Sequence, residues 1–123
     1  MTRSARQAYV DAVTANYVRL PGTPFRASRT DRRFASELHQ RGVPLHVVYA
    51  AFVLAVVRRE IRSAALPRLA PIRTLAYFRS AIDEILDQPP DPEYIRYIAS
   101  KIRTAVAEKQ RLLSATTARS AIP

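Results

Sequence analysis

Arg19, Arg26, Arg29, Arg32 and Arg33 crowd into Arg19-Leu-Pro-Gly-Thr-Pro-Phe-Arg26-Ala-Ser-Arg29-Thr-Asp-Arg32-Arg33, with Phe25 among them. A guanidinium group is planar, permanently charged and forked, so it matches the oxygens of a phosphate better than any other side chain. An aromatic ring between such cations can stack on an unpaired base while the charges hold the backbone. The chemistry this stretch can do is therefore the binding of a polyanion. A plainer reading of the same residues packs Phe25 under the loop and pairs the arginines with Asp31 and Glu37.

The charge of the whole chain points the same way. The formal net charge is +10, and 18 of the 20 basic residues are arginine. Residues 1–79 hold 14 arginines against Asp11, Asp31, Glu37 and Glu60, whereas residues 80–123 hold six basic and six acidic groups. All of the excess thus lies in the first two thirds, which is the electrostatic footprint of a nucleic-acid binder at sequence level. Coding bias toward arginine with simple solvation is the competing account. Arg58, Arg59 and Arg62 are further candidates for phosphate contact and can extend a basic face with Arg68, Arg73 and Arg79. Their place at the end of a helical pattern also explains them as complements of the helix dipole.

Other chemistries find little support. His39 and His46 are the only histidines, cysteine is absent, and no carboxylates stand at metal-ligand spacing, so neither a metal nor another cofactor is expected. Two glycines cannot build a glycine-rich phosphate cradle, and the serines and threonines lack a base, so an enzyme is not expected. Asp83, Glu84, Asp87, Asp91 and Glu93 gather around Pro89-Pro90 and read as an acidic patch for solvent, a protein partner or the basic face of a second copy. The start of the chain is not a secretory signal, and the longest apolar run, Val47 to Val57, falls short of the roughly 20 residues that span a bilayer. A cytoplasmic protein that does not engage membranes is expected.

These side chains must be positioned by helices. Tyr9, Val13, Tyr17 and Leu20 mark one face of a helix over about 4–20, ended by Pro21-Gly22-Thr23-Pro24. A second helix starts at Thr30 as N-cap, or at Ser28, and runs to Arg41, with Phe34 and Leu38 inward and Gly42 as its stop. Pro44 suits the first turn of a third, apolar on almost every side through Val57 and hence central. A fourth covers about 72–87. Asp91-Pro92-Glu93 opens a fifth, to about 113, with Ile95, Ile98, Ile102 and Val106 as its stripe. Residues 115–123 carry no periodicity and read as a disordered tail. The fold class is all-α: a compact bundle of about five helices around a buried third, one domain over 1–114.

Helix two, Gly42 and helix three together resemble a helix-turn-helix, but Leu45 to Val57 offers almost only carbon where a recognition helix needs polar groups. Gly42-Val-Pro-Leu-His-Val-Val-Tyr-Ala-Ala-Phe-Val-Leu-Ala and Ile72-Arg-Thr-Leu-Ala-Tyr-Phe-Arg-Ser-Ala-Ile resemble the helical domain of DnaD-like and phage replication-organiser proteins. The resemblance covers about residues 31–86. It implies a small bacterial DNA-binding protein of little sequence preference, an accessory of replication or of a mobile element. The C-terminal aromatic contact segment of that family has no counterpart here, since Arg96, Lys101 and Arg103 stand between the balancing acids Glu93 and Glu108. The alternatives are a helical accessory subunit of a nucleoprotein complex, like the small subunits of CRISPR effectors, and an interaction module for an acidic protein. The partner is thus nucleic acid, DNA or RNA, with a homo-oligomer or larger protein complex as further candidates.

Overall fold

The computed structural model describes residues 3–62 and 65–121, with the side chains of 116–121 outside the described set. Among the described residues six helices run in the order α1 (Ala5–Tyr17), α2 (Arg29–Gln40), α3 (Leu45–Glu60), α4 (Arg79–Asp87), α5 (Pro92–Ser100) and α6 (Arg103–Ala121), with a 3₁₀ turn over Leu75–Phe78 before α4. No strand occurs among the described residues, and none of their helices is long and apolar enough to cross a membrane.

Helix α1 begins with a reciprocal capping box, in which Ser4 Oγ accepts from Gln7 N and Gln7 Oε1 accepts from Ser4 N, both at 3.1 Å. It ends at Tyr17, three residues earlier than its periodicity implies. There Arg19 N and Leu20 N turn back onto Asn16 O and Tyr17 O, and Gly22 takes a φ of 79° that other residues rarely adopt. Helix α2 is capped by Ser28, the earlier of the two expected starts. Its end is a Schellman turn: Gly42, at φ 74°, donates to His39 O while Val43 N donates to Leu38 O. Tyr9 Oη then donates to Val43 O at 2.7 Å and fixes the turn against α1.

Helix α3 packs against α1, α4, α5 and the 3₁₀ turn, the central position expected of a helix that is apolar nearly all round. Pro44 sits at its N-cap rather than inside its first turn. Val48, Ala51, Phe52 and Val56 are buried in it. The Phe52 and Tyr17 rings both meet Phe78 edge-on, at centroid distances of 4.8 and 6.2 Å, so one aromatic cluster joins α1, α3 and the 3₁₀ turn.

Two helices differ from the sequence expectation. The helix expected over 72–87 starts only at the 3₁₀ turn, because tertiary hydrogen bonds hold the chain before it in an extended course. Ile72 N donates to Gly22 O at 2.7 Å and Leu75 N to an Asp31 carboxylate oxygen at 2.9 Å, which leaves Thr74 extended. The helix expected over 92–113 is two helices. Ser100 Oγ bonds Tyr97 O, and Lys101 N and Ile102 N fall back onto Ile98 O and Ala99 O, breaking the regular ladder. Helix α6 then continues to Ala121, over residues where a disordered tail is expected. Residues 122 and 123 lie outside the described residues.

Candidate nucleic-acid interface

The arginines of α2 owe their placement to a buried carboxylate. Asp31 is 2% exposed. Its Oδ2 accepts from Ser28 N, its Oδ1 from Leu75 N, and its own N–H donates to Ser28 Oγ. With Asp31, Phe34, Ala35 and Leu38 turned inward, Arg29, Arg32, Arg33 and Ser36 share the outward face by helical spacing. The capping box satisfies Ser28 N and Asp31 N, and the Asp31 carboxylate answers the helix dipole at the first turn of α2, where Arg32 and Arg33 stand.

Helix α1 lies antiparallel to α2, with Asp11 beside Arg32 and Ser4 near the far end of α2. A shallow groove of about 660 Å³ forms between the two helices, lined by Arg6, Gln7 and Val10 from α1 and by Arg29, Arg32 and Arg33 from α2. Arg32 Nη2 contacts Asp11 Oδ1 at 2.7 Å, and Arg3 Nη1 contacts Asp11 Oδ2 at 2.6 Å. The bonds from Arg32 and then Arg3 hold the Asp11 carboxyl below its ordinary pKa. Arg32 is thus paired, though with Asp11 rather than with Asp31 or Glu37. Among the described residues no carboxylate pairs with Arg6, Arg29 or Arg33. Arg6 escapes a sequence reading, because its place in the groove depends on how α1 crosses α2.

Arg19, Phe25 and Arg26 occupy the connection between α1 and α2, all exposed, and no carboxylate among the described residues pairs with the two arginines. Phe25 is half exposed, and its ring lies 5.2 Å from Lys109 Nζ of α6. Lys109 is itself buried. Its ammonium donates to Leu20 O and Thr23 O at 2.6 Å and to Thr23 Oγ1 at 2.5 Å, with Pro24 O at 3.4 Å. Burial lowers its pKa to about 8, against oxygens that favour the charged form. The loop is thereby rigid at 20–24 and open at Arg19 and Arg26.

The second arginine group divides by role. Arg58 Nη2 pairs with Glu84 at 2.9 Å. Arg59 donates to Ala70 O at 2.7 Å and to Tyr77 Oη at 3.2 Å, its guanidinium 5.5 Å from the centre of the Tyr77 ring. It pins the 65–70 connection to the core. Arg62 is half-buried, and its Nε is enclosed without a hydrogen-bond partner among the described residues. Arg79 lies 4.8 Å over the buried Phe34 ring of α2, two residues from Tyr77, so the start of α4 stands between the two arginine groups.

The acidic patch is partly consumed within the chain. Asp83 meets Arg41 at 3.4 Å, Glu84 holds Arg58, and Asp91 caps α5 by accepting from Glu93 N. His39 packs edge-on against Tyr9, and among the described residues no three metal-ligating side chains gather. No protein-family model, no curated protein and no solved structure matches the chain.

Proposed function

We propose that the protein binds nucleic acid through its phosphates, with little dependence on sequence, as a binding protein rather than an enzyme. The observation that carries this reading is the α1–α2 groove, where Arg6, Arg29 and Arg33 present their charge uncompensated by any carboxylate of the described chain. Folding gains nothing from gathering like charges in this way, and a row of phosphates offsets their repulsion. Arg19 and Arg26 continue the surface along the adjoining connection. Arg32 contributes after exchanging Asp11 for phosphate, or serves to orient its neighbours. A helix-turn-helix mode is disfavoured because α3 is the central core helix and its apolar side chains cannot enter a major groove. The resemblance to DnaD-like proteins adds the setting, an accessory role in bacterial replication or in a mobile element.

Salt dependence tests the proposal. Affinity for a random-sequence duplex is measured across a range of ionic strength for the wild type and for the Arg6→Ala, Arg29→Ala, Arg33→Ala triple variant. Each lost phosphate contact removes about 0.9 from the slope of log K against log salt, so the slope should flatten by about 2–3. An unchanged slope in a folded triple variant refutes the assignment.

A further inference from the structure

The end of α3, the 65–70 connection and the start of α4 enclose two adjoining hollows of about 410 and 470 Å³ that share Arg59, Arg62 and Leu69. Each is within the size range of small-ligand sites and far too confined for a double helix. Their walls differ in chemistry. The first is lined by Tyr77, Leu69 and Ser80; the second by Arg62, Arg68 and Glu60. Leu69 is 42% and Tyr77 44% exposed, an apolar surface left open next to cations. Arg59, committed to Ala70 and Tyr77, braces the partition between the hollows. Arg62 and Arg68 have no carboxylate partner among the described residues, and the Arg62 Nε–H is enclosed and unsatisfied there. A buried donor in that condition is unfavourable, and a ligand oxygen would satisfy it.

Flat apolar surface beside guanidinium groups is what an unpaired nucleotide needs: a face for its base and donors for its phosphate. A duplex keeps its base faces stacked on one another and has no use for Leu69 or Tyr77. We propose that this cleft takes one unpaired nucleotide of a single strand, its base against Leu69 and Tyr77 and its phosphate on Arg62 and Arg68. This rests on the reading that the protein binds nucleic acid, and it adds a preference for single strands that the α1–α2 groove alone does not supply. Arg79, between the cleft and α2, lies where a strand leaving the cleft can continue toward Arg33.

The chain has no tryptophan, so Leu69→Trp creates a single reporter in the cleft without touching the Arg59–Tyr77 contact. Binding is read by the anisotropy of an end-labelled oligothymidylate or hairpin duplex, and occupancy of the cleft by tryptophan emission. The oligothymidylate should quench the emission saturably over the concentrations at which anisotropy rises, whereas the hairpin should raise anisotropy without quenching. In the wild-type background, Arg62→Ala with Arg68→Ala should weaken the single strand about tenfold or more and the hairpin by less than about threefold, with circular dichroism confirming the fold. Single-strand binding without quenching, or equal quenching by the hairpin, overturns the cleft proposal and leaves the phosphate-binding function standing. Quenching by inorganic phosphate or adenosine monophosphate at the concentrations where the strand acts also overturns it, in favour of a free phosphate ligand. If neither nucleic acid changes the anisotropy, the broader reading fails with it.

Discussion

Replacing Asp31 tests the reasoning at its most exposed point, because the position of Arg29, Arg32 and Arg33 is attributed to this one carboxylate. Its two oxygens accept from Ser28 N at 2.9 Å and Leu75 N at 2.9 Å, and the group is 2% exposed. In Asp31→Ala the buried Leu75 amide keeps no acceptor, and the N-cap loses half of its reciprocal box. A hydrogen bond to a charged group contributes about 1.5–3 kcal/mol, so the two together amount to about 3–6 kcal/mol. Asp31→Asn keeps one acceptor oxygen and should lose about half as much. Against a total stability of about 5–15 kcal/mol for a domain, the alanine variant should remain folded but marginal. Urea unfolding followed by far-UV circular dichroism measures both variants, since the slope with denaturant identifies any change in the cooperative unit. A loss below about 1 kcal/mol for alanine, or equal losses for the two, would mean that Asp31 does not join α2 to the 3₁₀ turn as described.

Two further predictions concern the other buried polar groups. Tyr17 Oη is buried without a hydrogen-bond partner among the described residues, and burial, then the nearby Asp31 charge, pushes its pKa far above the ordinary value; Tyr17→Phe should therefore leave stability unchanged or raise it by about 1 kcal/mol, read as a shift in the urea midpoint. Lys109 has a folded pKa of about 8 against an ordinary 10.5, so the unfolded chain binds more protons between these values and the penalty for burying the charge fades as pH rises through 8. Urea stability should increase by about 1–2 kcal/mol from pH 7 to about 9.5, and Lys109→Met should abolish the increase. Above about pH 10 the raised pKa values of Tyr9 and Tyr17 reverse the trend, because unfolding then releases their protons.

What the sequence reveals of this molecule follows the range of the interactions. Local signals, such as the apolar run of α3, Gly42 after α2, and Asp91-Pro92 before α5, mark helices because capping and periodicity act over a few residues. The contacts that shape the site act over longer spans. Arg32 finds Asp11 21 residues away, Leu75 N finds Asp31 44 residues away, and Lys109 finds Leu20 89 residues away. No spacing rule pairs such positions. Asp31 reads in the sequence as a surface partner for arginine, and only the return of residues 72–75 past α2 turns it into a buried bridge. Lys109 carries no mark at all, as one of two lysines in a chain dominated by arginine. Arg6 is similarly silent, since it joins the arginines of α2 in one groove only through the crossing of α1 and α2.

The Lys109 ammonium makes the first connection and the last helix mechanical partners. A strand that drew Arg19 or Arg26 toward itself would load the same backbone oxygens that anchor α6, so tension on one end of the chain reaches the other through a single cation.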